Sequence, residues 1–363
     1  MLWLALILAG CQSSDQHPTD AMGEPMDWAL DEPGPFNVGF MTWEHTYEVP
    51  VGESPRTIPI NLWYPTDADN GPSSYYLEGL YEDPLAFSDA SPAEPAFPGG
   101  YPVHVHSHGD RGWGATSANM MRFFASHGWV AIAPDHTDNT LLRSTDPRPT
   151  AHYIHRPLDV SATLDALDGA SMLGSHQSDT SRVLLSGHSF GAYTVWANAG
   201  AEFDPDAMAE GCVKLDEGEC SEDEMAVFLS GELSEPRVSA AITMAGAIRR
   251  SFIGDTGHLG VTAPLMLMSG SEDSDGIPDS WESLQDLSPL YWVDIDGGCH
   301  QSFAAGVCGS LDAADGFQII NAYALALGRS VVLGDSSIPT EELLSGGQVP
   351  SPRVTYSVSS GSK

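Results

Sequence analysis

The fold is decided by the stretch Arg182-Val183-Leu184-Leu185-Ser186-Gly187-His188-Ser189-Phe190-Gly191, which the helix-like run Ala192–Ala201 follows. Arg182–Ser186 has the apolar character of a buried strand. The next five residues match G-x-S-x-G between a strand and a helix. Glycines flank the serine because the tight turn leaves no room for side chains there, and the turn lifts the Ser189 hydroxyl out of the sheet. The stretch therefore predicts a nucleophilic serine at a strand–turn–helix junction.

The composition is that of a globular but strongly acidic chain. Its 363 residues include 50 Asp+Glu against 14 Lys+Arg, a formal net charge of −36, and 42% are hydrophobic. That apolar fraction is enough to bury a core and excludes wholesale disorder. The charge excludes nucleic acids and anionic membranes as partners bound by charge, because the field of the protein repels phosphate-rich surfaces. We expect a monomer.

Short apolar runs alternate with longer amphipathic runs on both sides of Ser189, which implies a mostly parallel central sheet flanked by helices. An antiparallel pair of strands, His45–Val49 and Ile58–Tyr64, precedes this alternation. The segment Glu202–Glu235 interrupts it with twelve acidic residues. Because this segment is too long for a simple connection, it predicts an acidic cap inserted after a helix. The predicted later strands are Val103–Val105, Trp129–Ala133, Val183–Leu185, Val238–Met244, Leu265–Met268 and Tyr291–Ile295, and the predicted helices are Ser117–Ser126, Pro157–Leu167 and Tyr193–Ala201.

A serine hydroxyl is a weak nucleophile near neutral pH, so a base and an orienting acid must follow it in the chain. Of the two downstream histidines, His258 precedes the strand expected to carry the acid, whereas His300 lies in a loop directly after a predicted strand. We therefore predict His300 as the base. The acid is expected just past the strand Pro264–Ser269, where Asp273 is favoured and Asp275 is the alternative.

Two backbone N–H groups must stabilise the oxyanion that forms during acyl transfer. The first is predicted at Phe190, the residue after the nucleophile. The second is predicted at Asp110, in the loop after the strand that ends at Ser107. We expect the carboxylate of Asp110 to point away from the site, because a second negative charge there would oppose the oxyanion.

Several segments together resemble the platelet-activating-factor acetylhydrolase and dienelactone-hydrolase-like branch of the α/β-hydrolases, with a neighbouring similarity to bacterial polyester hydrolases. The resemblance implies an α/β-hydrolase fold and a calcium-independent serine esterase, without cofactor or metal, that acts on short or oxidised acyl lipids or on small esters. The segments that carry it are Ile60-Asn61-Leu62-Trp63-Tyr64-Pro65, Ser107-His108-Gly109, Ala125-Ser126-His127-Gly128-Trp129-Val130, the G-x-S-x-G stretch and Cys299-His300-Gln301-Ser302-Phe303.

The N-terminal stretch indicates export. The apolar run Leu2–Ala9 is too short to span a bilayer as a helix, and Leu8-Ala9-Gly10-Cys11 resembles the lipobox of bacterial lipoprotein signal peptides. We predict a signal peptide over residues 1–10 and lipidation at Cys11, which alone would hold the protein at a membrane of the bacterial cell envelope. A flexible tether over 11–35, a hydrolase domain over 36–332 with its cap at about 202–235, and a loose polar tail over 333–363 complete the predicted organisation.

The remaining four cysteines form two pairs that are close in sequence. Cys212 with Cys220, and Cys299 with Cys308, would each close a short loop and leave no odd thiol. The second disulfide would stiffen the loop that holds His300. A zinc site is disfavoured because no C-x-x-C spacing occurs.

Three other functions fit parts of the sequence. His104, His106 and His108 alternate along one strand and resemble a metal-binding H-x-H-x-D-H motif, but Arg111 replaces its last histidine. Ser271, Asp273, Asp275, Gly276, Asp279 and Glu282 fall on EF-hand positions, which would make a calcium-binding protein. A catalytically silent, surface-tethered binding protein on a hydrolase fold is the third alternative.

The distribution of charge also predicts substrate preference. The net charge and the twelve acids of Glu202–Glu235 should disfavour anionic lipids and free carboxylate substrates. Neutral or zwitterionic esters are then expected to be preferred.

Overall fold

The computed structural model describes residues 23–170, 173, 177–213, 220–274, 276–306 and 310–359. The predicted signal peptide, Cys11, Asp275 and Cys308 lie outside these residues. Within the described chain, eleven strands form one mixed sheet in the order β11-β10-β9-β8-β7-β5-β6-β2-β1-β4-β3. The strands are β1 (Asn37–Tyr47), β2 (Arg56–Thr66), β3 (Ser73–Tyr76), β4 (Tyr81–Ser88), β5 (Tyr101–Ser107), β6 (Val130–Pro134), β7 (Ser178–His188), β8 (Val238–Met244), β9 (Leu265–Gly270), β10 (Leu290–Ile295) and β11 (Val354–Ser359).

The middle of the sheet is parallel, from β6 through β5, β7, β8 and β9 to β10. The hairpin of β1 and β2 adds an antiparallel extension beyond β6. Strand β5 is buried along its whole length, as expected for a parallel strand with helices over both faces. The predicted mostly parallel sheet, with its antiparallel opening, is confirmed.

Helices cover both faces of the sheet, over two separate apolar clusters. One face carries α2 and α3 with the acidic insertion, and the other carries α1 and α8. The helices are α1 (Ala118–Ser126), α2 (Ala151–Asp168), α3 (Phe190–Asn198), α4 (Pro205–Val213), α5 (Glu222–Ser230), α6 (Arg250–Ile253), α7 (Ile277–Trp281), α8 (Ala313–Gly328) and α9 (Ile338–Ser345).

The order in which successive strands are added to the sheet reverses at β5. Strand β6 lies on one side of β5 and β7 on the other, and Ser107 at the end of β5 is in register with Gly187 near the end of β7. In open α/β sheets such a switch point forms a crevice outside the carboxyl ends of the strands, where ligands bind. The topology therefore brings the loop after Ser107 beside the serine turn.

Helix α2 starts six residues before the predicted start at Pro157, which lies inside the helix. A proline lacks the N–H that would bond the carbonyl of Tyr153 four residues earlier. The hydroxyl of Tyr193 donates to that carbonyl at 2.8 Å instead. The helix continues through the proline because a side chain of α3 replaces the missing donor.

The apolar segment Ala313–Leu333, which contains α8, is long and hydrophobic enough by length and composition to cross a membrane. However, 67% of its most apolar window is buried inside the protein. Its side chains pack with those of α1 against the sheet, which is the environment of a core helix.

The last part of the predicted tether is packed onto the domain. His127 donates to the Glu32 carbonyl at 2.9 Å, Arg329 donates to the Trp28 carbonyl at 2.9 Å, and Leu30 is buried. The folded body therefore begins near residue 24 rather than at 36. The polar composition concealed these contacts because backbone carbonyls, rather than side chains, make most of them.

The predicted loose tail is also folded. Residues Ile338–Ser345 form α9, and Val354–Ser359 form β11, which pairs antiparallel with β10 at the edge of the sheet. The ring of Tyr356 stacks on that of Tyr323 at 5.2 Å between centroids. A tail rich in serine and glycine is ordered here because an open strand edge supplies its hydrogen-bond partners.

The acidic insertion contains α4 and α5, and the predicted disulfide Cys212–Cys220 joins them. It buries Met208 and Phe228, and Phe228 stacks on Phe252 at 5.7 Å. The insertion is therefore part of the helical layer over one face of the sheet.

Candidate active site

Ser189 occupies the sharp turn between β7 and α3. Its backbone has φ 55° and ψ −113°, a conformation that L-residues rarely adopt. Such strain persists only where the surrounding structure holds it, and it concentrates at functional sites. The predicted serine turn is thus present, with a partly exposed nucleophile candidate at its tip.

The flanking glycines are required by close packing. A Cβ atom on Gly191 would lie 1.9 Å from the Ser107 carbonyl oxygen, and one on Gly187 would lie 2.2 Å from the Gly191 carbonyl oxygen. Both are backbone atoms that cannot move aside. The turn therefore packs directly against the end of β5 and brings Ser189 beside the loop that follows Ser107, called the oxyanion loop because it carries the predicted donor Asp110.

Asp273 and His300 form a hydrogen-bonded pair. Asp273 follows β9 and His300 follows β10, two adjacent parallel strands. His300 Nδ1 and Asp273 Oδ2 lie 2.8 Å apart. A carboxylate accepts, so Nδ1 donates this hydrogen bond, and in the neutral imidazole Nε2 is then an acceptor. The predicted acid and base are thus brought together; Asp275 lies outside the described residues.

His188 links this pair to the serine turn. Its Nε2–H donates to the His300 carbonyl at 2.8 Å, and the two imidazole rings lie 4.8 Å apart. Burial lowers the pKa of His188 to about 3, so the ring is neutral. Among the described residues Ser189 and His300 share no hydrogen bond. Catalytic hydrogen bonds are often long without substrate and tighten when it binds.

Cys299 is disulfide-bonded directly before His300. Its predicted partner, Cys308, lies outside the described residues.

The Asp110 side chain is held by two neighbours at the mouth of the site. Asn139 donates to Oδ1 at 2.7 Å, and Arg148 pairs with Oδ2 at 2.9 Å. Burial raises the pKa of this carboxyl, but the Asn139 hydrogen bond and the Arg148 charge outweigh it and lower the pKa overall. The carboxylate therefore stays ionised, and Arg148 compensates its charge.

Two arginines hold the Phe190 ring, and sequence reasoning missed both. The guanidinium carbons of Arg148 and Arg156 lie 4.1 and 4.5 Å from the ring centroid. Arg156 also donates to the carbonyl of His108 and to Asn139. The same cations thus position the residues that contribute the two predicted oxyanion donors. The only signal in the sequence was the scarcity of positive charge, which makes each arginine conspicuous.

Beneath the oxyanion loop lies a hydrogen-bonded Ser–His–Asp arrangement that does not include Ser189. Ser107 Oγ lies 2.9 Å from His136 Nε2, and His136 Nδ1 lies 2.8 Å from Asp159 Oδ2. All three residues are fully buried. Substrate cannot reach the Ser107 hydroxyl, so this arrangement supports the loop above it and is not a second active site.

The strand histidines proposed for metal binding have other partners. His104 and His106 both bond Ser186 Oγ, whereas His108 Nδ1 donates to the Gly109 carbonyl. Burial lowers the pKa of His104 to about 3. No group of three or more His, Cys, Asp or Glu in the described part of the chain could hold a metal ion. The described residues of the EF-hand pattern do not form a calcium-binding loop, because Asp273 hydrogen-bonds His300 and Ile277–Trp281 is helical.

A cavity of about 370 Å³ opens at Ser189. No described residue of the acidic insertion lines it. The lining side chains that carry polar or aromatic groups are Asp110, Arg148, Ser189, Phe190, Tyr193 and Arg249.

The chain has the α/β-hydrolase fold: a serine turn follows β7 near the middle of a mostly parallel sheet, and an Asp–His pair follows β9 and β10. A family model described as Chlorophyllase matches residues 90–216, which include Ser189 but neither Asp273 nor His300. Among solved structures, the chain is similar to the ferulic acid esterase from Streptomyces cinnamoneus, with a TM-score of 0.62 and 20% sequence identity. That match covers 90% of this chain and 98% of the esterase. No curated protein matches the chain.

Proposed function

We propose that the protein is a serine-dependent hydrolase of carboxylic esters. The observation that carries the proposal is the strained Ser189 turn beside the Asp273–His300 hydrogen bond. The similarity to a family described as Chlorophyllase and to a ferulic acid esterase supports ester cleavage, since both names refer to enzymes that cleave esters.

In this mechanism Ser189 attacks the ester carbonyl while His300 Nε2 takes its proton. Asp273 keeps the proton of the imidazole on Nδ1 and stabilises the imidazolium that forms. The N–H groups of Phe190 and Asp110 stabilise the oxyanion. His300 then protonates the leaving alcohol, and water hydrolyses the acyl-enzyme with His300 as base. No metal or cofactor takes part in these steps.

The size of the cavity favours a small ester. Pockets of about 300–1,000 Å³ accommodate drug-sized ligands, and the 370 Å³ at Ser189 lies at the low end. Short-chain esters, or lipids with a short or oxidised acyl chain, are therefore the proposed substrates.

The test is hydrolysis of 4-nitrophenyl acetate and butyrate by the full chain and its variants. We expect Ser189→Ala and His300→Ala each to lower kcat by at least about a thousandfold, because each removes a group that acts in the transition state. Ser181→Ala is the matched control, since Ser181 is an exposed residue of the same strand. A Ser189→Ala variant that retains most of its activity would refute the mechanism.

We also propose that the protein works at the bacterial cell envelope, anchored through acylated Cys11, as a monomer that binds no nucleic acid. The Cys212–Cys220 disulfide supports an oxidising compartment. Mass spectrometry of the mature N-terminus tests the anchor, and an unmodified Cys11 in the mature protein would refute it.

A further inference from the structure

An arginine without a counter-ion lies in the wall of the Ser189 cavity. Arg249 is exposed, and it forms no ion pair with any other residue that the structure describes. The chain has twelve arginines among 50 acidic residues. Because no described carboxylate forms an ion pair with Arg249, an anionic ligand can bind its guanidinium without displacing an existing partner.

The other charges of the cavity wall compensate each other. Arg148 and Asp110 form an ion pair at 2.9 Å. Arg148 also lies over the Phe190 ring and donates to the Tyr153 hydroxyl at 3.3 Å. These contacts occupy Arg148, so Arg249 carries the uncompensated positive charge at the mouth.

The backbone holds Arg249 in place. Its carbonyl accepts hydrogen bonds from the N–H groups of Phe252 and Ile253, at 2.9 and 3.1 Å. The neighbouring Arg250 differs, because its guanidinium donates to the carbonyls of Gly254 and Asp255. Only the first of these two consecutive arginines has a guanidinium free for a ligand.

The acidity of the whole molecule does not cancel this local charge. Those acids of Glu202–Glu235 that the structure describes line no part of the cavity. Charges separated by more than about 8–10 Å in water are largely screened at physiological ionic strength, whereas a contact pair is not. A bound anion therefore interacts mainly with Arg249.

We propose that the substrate is an anionic ester whose carboxylate pairs with Arg249 while Ser189 attacks the ester carbonyl. This inference rests on the proposed ester hydrolysis and names its substrate class. A guanidinium binds a carboxylate through two parallel N–H bonds, which orients the ester as well as attracting it. The inference reverses the preference for neutral esters that the net charge alone predicts.

The test compares monoethyl glutarate, which carries a carboxylate, with its neutral amide, ethyl 4-carbamoylbutanoate. A second pair, 4-acetoxybutanoate and 4-acetoxybutanamide, places the charge on the alcohol side. We expect the wild type to show a higher kcat/KM for the carboxylate in at least one pair. Arg249→Gln should lower that carboxylate-to-amide ratio about fivefold, mainly through KM, as expected for a partly exposed ion pair. The preference should also weaken as salt is added.

Arg182→Gln is the matched control, because it removes the same charge from an exposed position on β7 where the guanidinium bonds the Val331 carbonyl. Its carboxylate-to-amide ratio should equal that of the wild type. An equal ratio in wild type and Arg249→Gln, for both pairs, would overturn the proposal.

Failure of this proposal is separable from failure of the esterase mechanism. Hydrolysis of the amide ester by wild type, and its loss in Ser189→Ala, tests the mechanism without reference to Arg249. Binding of monoethyl glutarate to Ser189→Ala, measured by ligand-observed NMR, tests the carboxylate site without turnover. Weaker binding by the Ser189→Ala/Arg249→Gln double variant supports the site, and equal or absent binding by both variants refutes it.

Discussion

Asp159 is the side chain that joins the buried layer beneath the oxyanion loop. Its carboxylate accepts two hydrogen bonds from Arg56, at 2.7 and 2.9 Å, and one each from Tyr47 and His136. These contacts outweigh the effect of burial and hold the pKa of Asp159 well below its usual range. A fully buried carboxylate is stable here only because each of its lone pairs has a donor.

We expect Asp159→Asn to destabilise the protein by about 3–5 kcal/mol, because it leaves the Arg56 guanidinium buried without its counter-ion. The urea midpoint at pH 7 measures the change. Asp165→Asn is the control on the same helix. Its carboxylate is 68% exposed and pairs with Arg237 at the surface, so its loss should cost less than about 1 kcal/mol. Equal midpoints for the two variants would contradict this account.

At the residue scale, the sequence predicts those site residues whose positions depend on local geometry. Ser189 follows from the space available in a tight turn, and Asp273 and His300 follow from their places after consecutive strands. Arg148, Arg156 and Arg249 could not be predicted in this way. Each reaches the site from a different loop or helix, and their arrangement depends on packing between segments that are distant in sequence.

At the scale of elements, the acidic insertion predicted as a cap contains α4 and α5, which pack into the helical layer over one face of the sheet. Fourteen of its 34 residues are hydrophobic, and Phe203, Met208 and Phe228 pack against the core. The twelve acids of the segment concealed this packing, although Val227 and Phe228 of α5 are buried. The C-terminal tail, predicted to be loose, is folded. Strand β11 is specified by the free edge of β10 rather than by its own hydrophobicity.

We expect the double variant Cys212→Ser/Cys220→Ser to melt about 3 °C below the wild type. Without this disulfide, which links residues separated by 8 in sequence, the unfolded chain gains conformational entropy. That gain lowers the free energy of unfolding by about 2 kcal/mol. Calorimetry of the variant is preferable to adding a reductant, because Cys299 is also disulfide-bonded.

The kinetics of the same variant test the position of the insertion. Because the insertion, as far as the structure describes it, lines no part of the cavity, kcat/KM for a neutral short ester should stay within about twofold of the wild type. A large loss of activity in a variant that is still folded at the assay temperature would show that the insertion influences the site.

At the scale of the whole molecule, buried neutral histidines should make the protein sensitive to mild acid. Burial lowers the pKa of His104, His127, His136 and His188 to about 3 each. Burial also lowers the pKa of His106 and His108 well below the usual value. In the unfolded chain these groups titrate near pH 6.5. Below that pH the unfolded state binds more protons, so stability falls as the pH falls toward 3.

Each such histidine should lower the free energy of unfolding by about 1 kcal/mol between pH 7.5 and 5.5, and the six together by several kcal/mol. Asp135 has the opposite effect, because burial raises its pKa to about 6 and its protonation in the folded state stabilises the protein below that pH. It is a single group, whereas the six histidines named above act in the other direction. We expect Tm to fall by about 10 °C between pH 7.5 and 5.5. Scanning calorimetry at 0.5 M salt, which suppresses repulsion among the surface carboxylates, measures this. A constant Tm over that range would contradict the prediction.

The packing of residues 24–35 on the domain determines which way the active site faces when Cys11 carries lipid as proposed. Helix α1 runs back from the carboxyl ends of the strands, so Ser126 and His127 at its end lie at the opposite edge of the sheet from Ser189. The chain attaches there, through Gly34 to Ser126 and Glu32 to His127. The twelve residues from Gln12 to Gly23 span at most about 40 Å, half the reach of a tether that ended at residue 35. The anchored domain would thus turn its catalytic mouth away from its own bilayer, toward esters that arrive from the aqueous side.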